Sequence, residues 1–269
     1  MSTKTIPIIR HSVNQACEIL DPVAREEPLE IRIEGRSVAV IMRTPDQQHD
    51  LELVAGFLCT EGVIEEHSDI QAIAHILAPS SPKYNTIDVI LASGVPAKRR
   101  HRADRDLFAS SSCGICGKAT QERIIQHFSA ISKQVNVSIE TIYSLPQKLR
   151  AQQEIFQKTG GLHGAALFTL QGELLILRED IGRHNAVDKV IGWSLQQDID
   201  CSELILLVSG RVAFEIAQKA LAVQLPVIAA IGAPSSMAVE FCVQAKIQLF
   251  GFVKPDRCNE YSPAHLSKE

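Results

Sequence analysis

Apolar spacing divides the chain into two textures. From Leu29 to Val40 apolar and polar residues alternate, broken at Glu34-Gly35, which predicts a β-hairpin. Between Asp50 and Glu61 the period lengthens: Leu51, Val54, Ala55 and Leu58 recur at helical intervals, and Gly62 supplies a stop. Two further runs, 70–77 and 87–91, predict strands, so the first part reads as a small α+β unit. Farther on, amphipathic and apolar segments alternate. Helices are expected over 118–131, 146–158, 182–196, 212–223 and 236–244. Strands are expected over 165–170, 173–178, 203–208, 226–231 and 247–253. Such alternation predicts a largely parallel sheet covered by helices. A basic stretch, Lys98-Arg99-Arg100-His101-Arg102-Ala103-Asp104-Arg105, marks a change of composition between the halves. The expected class is α/β, α+β overall: residues 1–110 as a small α+β domain ending in the basic linker, and 111–269 as an α/β domain.

Composition narrows the partners. A net charge of -4 over 269 residues gives no global attraction to nucleic acid or to anionic membranes. No apolar run approaches the roughly 18 residues of a membrane span. Met1-Ser2-Thr3-Lys4-Thr5-Ile6-Pro7 lacks the apolar core of an export signal, so a cytoplasmic chain with reduced thiols is expected. Of the seven cysteines, Cys17, Cys59, Cys201, Cys242 and Cys258 stand singly and read as small buried hydrophobes.

The other two form Ser112-Cys113-Gly114-Ile115-Cys116-Gly117-Lys118. Glycine after each cysteine leaves the backbone uncrowded. A helix start near Lys118 and the upstream arginines favour thiolates, the nucleophilic form of sulfur. Three readings of the pair stay open. It is half of a zinc site completed by His101 or a second subunit, a redox dithiol, or an accessible carrier of sulfur. The loop context favours the carrier.

Four other segments carry candidate chemistry. In Arg178–Lys189, Asp180, Arg183 and His184 fall on the side of Val187, Val190 and Ile191 at about 100° per residue, so they are expected to point inward as a network or pocket lining. Ser209-Gly210-Arg211 and Gly232-Ala233-Pro234-Ser235-Ser236 each lie between a strand and a helix, where amides bind phosphate in open α/β sheets. Together with Arg183, Arg211, Lys254 and Arg257 they suggest a phosphate-bearing ligand. Thr159-Gly160-Gly161-Leu162-His163-Gly164 contains a histidine without the His-x-Glu that zinc deaminases need, and the cysteine pair lies upstream of it, which argues against deamination.

With these segments in order, the chain resembles the formate dehydrogenase accessory sulfurtransferase family (FdhD). The likeness rests on Leu53-Val54-Ala55-Gly56-Phe57-Leu58 with Glu61-Gly62, Ser112–Gly117, Phe156 with Thr159–His163, and Glu179–Gly192. It continues through Ser209-Gly210-Arg211, Glu215 with Lys219-Ala220, Ala233-Pro234 and Gly251-Phe252. The long Glu179–Gly192 segment is the specific part. The resemblance implies a cytidine-deaminase-like three-layer second domain without its zinc. It also implies transfer of sulfur from a cysteine desulfurase to bis-molybdopterin guanine dinucleotide, destined for formate dehydrogenase. Cys113 would carry the persulfide, and Cys116 would stabilise or resolve it. The cofactor segment maps onto Phe252, Val253, Lys254, Pro255, Asp256 and Arg257. Lys254 stands where relatives usually have arginine, which keeps the charge but loses the bidentate fork. Ser209, Gly210, Arg211, Arg183, His184 and His163 complete the expected cofactor site, with GDP as an analogue. No zinc is expected, and a homodimer is a candidate assembly. The competing reading is a non-catalytic chaperone for formate dehydrogenase whose cysteines form a metal clip or redox sensor.

Overall fold

The computed structural model of the chain describes residues 2–13, 15–77, 84–100 and 128–262. The two cysteines of the Cys-x-x-Cys pair, Cys113 and Cys116, lie outside the described residues, as does the expected helix over its span 118–127.

Strands β1 (Thr3–Ser12) and β2 (Gln15–Ala24) form a two-stranded antiparallel ribbon. Next come β3 (Glu27–Ile33), β4 (Arg36–Arg43), helix α1 (Gln47–Thr60), β5 (Ile70–His75), β6 (Thr86–Leu91) and a short α2 (Ala97–Arg100). These four strands make one sheet in the order β4-β3-β6-β5. The β3–β4 turn is tight because Glu34 and Gly35 adopt φ of 52° and 81°, the left-handed pair that matches the twist of a hairpin.

The sheet's inner face, including Leu29, Ile31, Ile41, Ile87 and Val89, packs on Leu53, Val54, Phe57 and Leu58 of α1. The other side of α1 is covered as well, which explains why nearly every residue from Leu53 to Thr60 is apolar or small. That side meets α5 (Arg183–Gln196). Gly56 and Gly192 make the crossing close. A Cβ on Gly56 would run into the carbonyl of Asp188, and one on Gly192 into the carbonyl of Glu52.

The second sheet has the order β12-β11-β10-β9-β7-β8. Its strands are β7 (His163–Thr169), β8 (Leu174–Asp180), β9 (Leu204–Val208), β10 (Val227–Ala230), β11 (Gln248–Lys254) and β12 (Arg257–Glu260). Alternate strand residues serve two cores. Ala165, Leu167, Leu206, Val208 and Ile228 pack on α5, α6 (Phe214–Ala222) and α7 (Ser236–Ala245). Ala166, Phe168, Ile205, Leu207, Val227 and Phe250 pack on Ile142, Leu145 and Leu149 of α3 (Ile139–Gln152). Helices therefore cover both faces, giving the expected α/β class in three layers.

Some elements differ from expectation. The sheet is mixed rather than largely parallel: β9, β10 and β11 run parallel, whereas β7, β8 and β12 pair antiparallel with their neighbours. Residues 128–131 are not helical, although Ile131 is buried in the main core. The helix expected over 146–158 is two helices, α3 and α4 (Glu154–Thr159), with Pro146 inside α3 rather than opening it. Ser138 is the true cap, accepting from the Thr141 amide. The ribbon β1–β2 has no counterpart in the sequence reading, because its partial burial leaves a weak alternation.

Candidate functional site

The carboxyl ends of parallel β9, β10 and β11 lie along one edge of the six-stranded sheet. Antiparallel β7 begins at this edge and β8 ends there, since His163 pairs with Asp180 and Ala165 with Val208. The topology therefore gathers His163, Asp180–His184, Ser209–Arg211, Gly232–Ser236 and Phe252. The backbone stitches them together. The Gly164 amide donates to Ser209 Oγ at 2.8 Å and the Ser209 amide to the Gly164 carbonyl at 2.9 Å. Gly232 N–H donates to the Gly210 carbonyl at 3.1 Å, and Phe252 N–H to the Gly232 carbonyl at 3.0 Å. The two βα turns thus meet. Glycine is needed there: a Cβ on Gly232 would lie 2.6 Å from the Gly210 oxygen. A Cβ on Gly210 would press on the His163 ring at 3.3 Å.

Helix α5 is anchored at this edge by Asp180, which is fully buried. Its carboxylate accepts from the Thr44 amide at 3.2 Å, the Gly182 amide at 2.9 Å, Asn185 Nδ2 at 2.8 Å and Lys189 Nζ at 2.6 Å. Asp180 is the last residue of β8, so helical spacing is not what turns it inward. Arg183 and His184, in the first turn of α5, are half-buried. Arg183 Nε and His184 Nε2 are shut off from solvent, and neither has a hydrogen-bond partner among the described residues. Burial and the neighbouring Arg183 and Lys219 charges push the His184 pKa down to about 4, so its ring is neutral at ordinary pH. Burial, then Arg183, also lower that of His163. Neither Gly182 nor Ala213, the residues preceding α5 and α6, caps its helix with a side chain, whereas Asp46 and Ser138 do so elsewhere and Ser235 caps α7 at this same edge. Uncapped first-turn amides, Arg183 and two neutral imidazoles suit an anionic ligand that also offers neutral hydrogen-bonding groups.

The C-terminal segment departs in detail from the sequence reading. Phe252, Val253 and Lys254 belong to β11 itself, and Arg257 opens β12, so Pro255 and Asp256 are the turn of a hairpin. Phe252 is exposed with φ of 53°, a backbone region unusual for a bulky side chain. The Val253 side chain is in the core with Phe250 and Phe168, so it presents only backbone to a ligand. Lys254 and Arg257 sit opposite each other, exposed at the hairpin tip, and Arg211 is exposed at the end of its turn. Ser209 and Gly210 are half-buried.

One feature of the site was not read from the sequence. Lys219 of α6 donates to both carboxylate oxygens of Asp188 on α5, at 2.9 and 2.8 Å, and to Thr60 Oγ1 of α1 at 2.9 Å. Asp188 and Lys219 lie on different helices, 31 positions apart, so no local spacing announces the pair. The single cysteines are mostly packing residues. Burial pushes the thiols of Cys59 and Cys201 up to about 12 and about 11, and raises that of Cys242 further. Cys17 is exposed and Cys258 half-buried, contrary to the buried reading. Among the described residues no cluster of His, Cys, Asp and Glu is placed to hold a metal, and no helix is long and apolar enough to cross a membrane.

Comparison with known proteins adds to this geometry. A family model described as FdhD/NarQ matches residues 24–267. A protein of Mycolicibacterium paratuberculosis named "Sulfur carrier protein FdhD" is 43% identical over 259 residues, covering 94% of each chain. One of the same name from Streptomyces coelicolor is 45% identical over 251 residues, covering 91% of this chain and 88% of its own. A crystal structure assigned to a formate dehydrogenase accessory protein of Desulfotalea psychrophila superposes with a TM-score of 0.75 over 98% of this chain and 99% of that one. At 21% identity this last likeness speaks for the fold.

Proposed function

The chain belongs to the FdhD/NarQ family, and we propose that it is a cytoplasmic sulfurtransferase that carries persulfide sulfur to a guanosine-bearing molybdenum cofactor for formate dehydrogenase. The relatives' name, sulfur carrier protein, supports the carrier role. The observation that bears most on the acceptor is the sheet edge, where buried Arg183 Nε and His184 Nε2 lack partners beside two uncapped helix N-termini. A phosphate of bis-molybdopterin guanine dinucleotide, the substrate in this reading, would take the amides and Arg183. The neutral rings of His184 and His163 would meet its uncharged polar groups. Phe252 offers a face to a planar base, and Lys254 and Arg257 answer outlying phosphate charge.

Sulfur enters through Cys113. Its thiolate attacks the outer sulfur of a cysteine desulfurase persulfide, the S–S bond breaks, and the desulfurase thiolate leaves. Where Cys116 resolves the persulfide, its thiolate attacks the Cys113 sulfur and the S–S bond breaks. The outer sulfur leaves as sulfide for the cofactor bound at the sheet edge, and a Cys113–Cys116 disulfide remains to be reduced by an external thiol. The other role open to Cys116 is to stabilise the persulfide before transfer. A homodimer would present two such edges.

Two measurements test the reading. Incubation with a cysteine desulfurase and cysteine should add the mass of one sulfur atom to wild type and none to Cys113→Ala. Stoichiometric zinc with no adduct would instead favour the metal-clip chaperone. Calorimetry should show GDP binding to wild type, weakened about tenfold or more in Arg257→Ala through loss of a charge-assisted contact. No binding at millimolar GDP, or equal binding by the variant, would refute this guanosine site.

A further inference from the structure

We infer that Asp188 and Lys219, tied by Thr60 to the small α+β unit, are positioning residues that hold the first turns of α5 and α6 at the spacing the sheet-edge ligand requires. The inference rests on the ligand reading above and adds what sets the geometry of that site.

The first observation is place. Asp188 follows Arg183 and His184 by a little over one helical turn, and Lys219 follows Ala213 and Phe214 by about one and a half turns, so the pair lies one to two turns below the crevice on both helices. Thr60, at the C-terminal end of α1, accepts from the same ammonium and donates to Asp188 Oδ1 at 3.0 Å. Three helices from both halves of the molecule therefore meet at one buried cation. Lys219 also lies over the Phe57 ring at 5.7 Å.

The second observation is charge. Each helix N-terminus carries a partial charge of about +0.5, and two of them open together at the edge beside Arg183. Neither end is capped by a side chain. Asp180, which accepts from the Gly182 amide, and Glu215 in the first turn of α6 offset only in part the mutual repulsion that separates the two ends. An ion pair linking the two helices directly below opposes that separation. Burial of the pair has no evident stability advantage, because an apolar pair of similar size usually serves a core as well. What an apolar pair lacks is direction: it slides, whereas Lys219 with three acceptor contacts sets one separation.

The third observation is what the clasp supports. The groups it carries, Arg183 Nε and His184 Nε2, are two of the buried polar atoms near this edge without partners among the described residues; Gln153 Nε2, against Gly164, is another. Lys219, Glu215, Arg183 and His163 all act electrostatically on the His184 ring, so clasp and crevice share one electrostatic environment.

The test is the double exchange Lys219→Met with Asp188→Leu, which removes one charge of each sign. It should melt close to wild type, yet bind GDP about tenfold or more weakly, because a donor shell displaced by about 1 Å loses its fit. First-turn amides of α5 and α6 should exchange hydrogen faster in the double variant without ligand, while strands β9 and β10 stay protected. Wild-type affinity with unchanged exchange would overturn the inference. So would a lowered melting temperature with unchanged affinity, which marks a merely structural pair. Should the double variant fail to fold, Thr60→Val removes one contact of the clasp and should show the same pattern at about two- to threefold. If wild type itself binds no GDP, the nucleotide reading fails, and local hydrogen exchange alone still decides the clasp.

Discussion

Asp180→Ala removes the acceptor on which the start of α5 is built. Four donors converge on this fully buried carboxylate: two backbone amides, Asn185 and Lys189. Without it, the one hydrogen bond left to the Lys189 ammonium, 1% exposed, among the described residues is to the Glu179 carbonyl at 3.1 Å. Leaving one buried charge uncompensated costs about 3–5 kcal/mol. Each orphaned amide adds about 1–3 kcal/mol wherever water cannot reach it, and these penalties overlap rather than sum. We expect a loss of about 5 kcal/mol, a large fraction of an ordinary domain's stability. At about 2–4 °C per kcal/mol for a chain of this size, the melting temperature should fall by about 10–20 °C. Differential scanning calorimetry or circular dichroism measures it. Adding Lys189→Met removes the stranded charge and should recover half or more of the loss. A single variant melting within about 3 °C of wild type would refute the argument. A double variant no better than the single would show that the stranded ammonium is not the cause.

Gly56→Ala and Gly192→Ala should each destabilise by about 3 kcal/mol or more, read from thermal melts, because each new methyl meets backbone that no side-chain rotation can clear. Cys113→Ala should melt like wild type and yield inactive formate dehydrogenase in cells; active enzyme would end the carrier reading. Cys116→Ala should impair maturation less, and full activity there removes any resolving role. Between the ordinary histidine pKa near 6.5 and the folded value of about 4, the unfolded chain binds the His184 proton and the folded one does not. His184 therefore lowers stability as pH falls through that window, and above it the effect vanishes. Urea midpoints at the two ends of the window should differ more for wild type than for His184→Gln, and equal differences would contradict the depressed pKa.

Local pattern made much of this molecule legible. Alternation and the Glu34-Gly35 turn predict β3 and β4 because strand period and left-handed turn residues act within a few positions. The apolar runs of β9 and β10 and the small-residue turns after them predict two neighbouring strand-turn-helix junctions for the same reason. The inward bias of Arg183 and His184 was readable from their spacing to Val187 and Ile191. Other features depend on partners distant in sequence. Parallel or antiparallel pairing of β7 and β12 is a matter of topology, so alternation of elements overstates the parallel content. Nothing near Thr60, Asp188 or Lys219 shows that residues 128 positions apart share a hydrogen bond, as Thr60 and Asp188 do. Gly56 and Gly192 read as helix-weakening residues until two helix backbones are seen to touch through them. The sequence by itself determined the hairpin β3–β4, helix α1, most elements of the later half and the residue types along one sheet edge, because these follow from local period and residue type; the weakly alternating β1–β2 ribbon and the split of α3 from α4 escaped it. Only the tertiary structure decided which buried charges neutralise each other and which polar atoms remain unpaired, because long-range packing alone brings those groups within hydrogen-bonding reach.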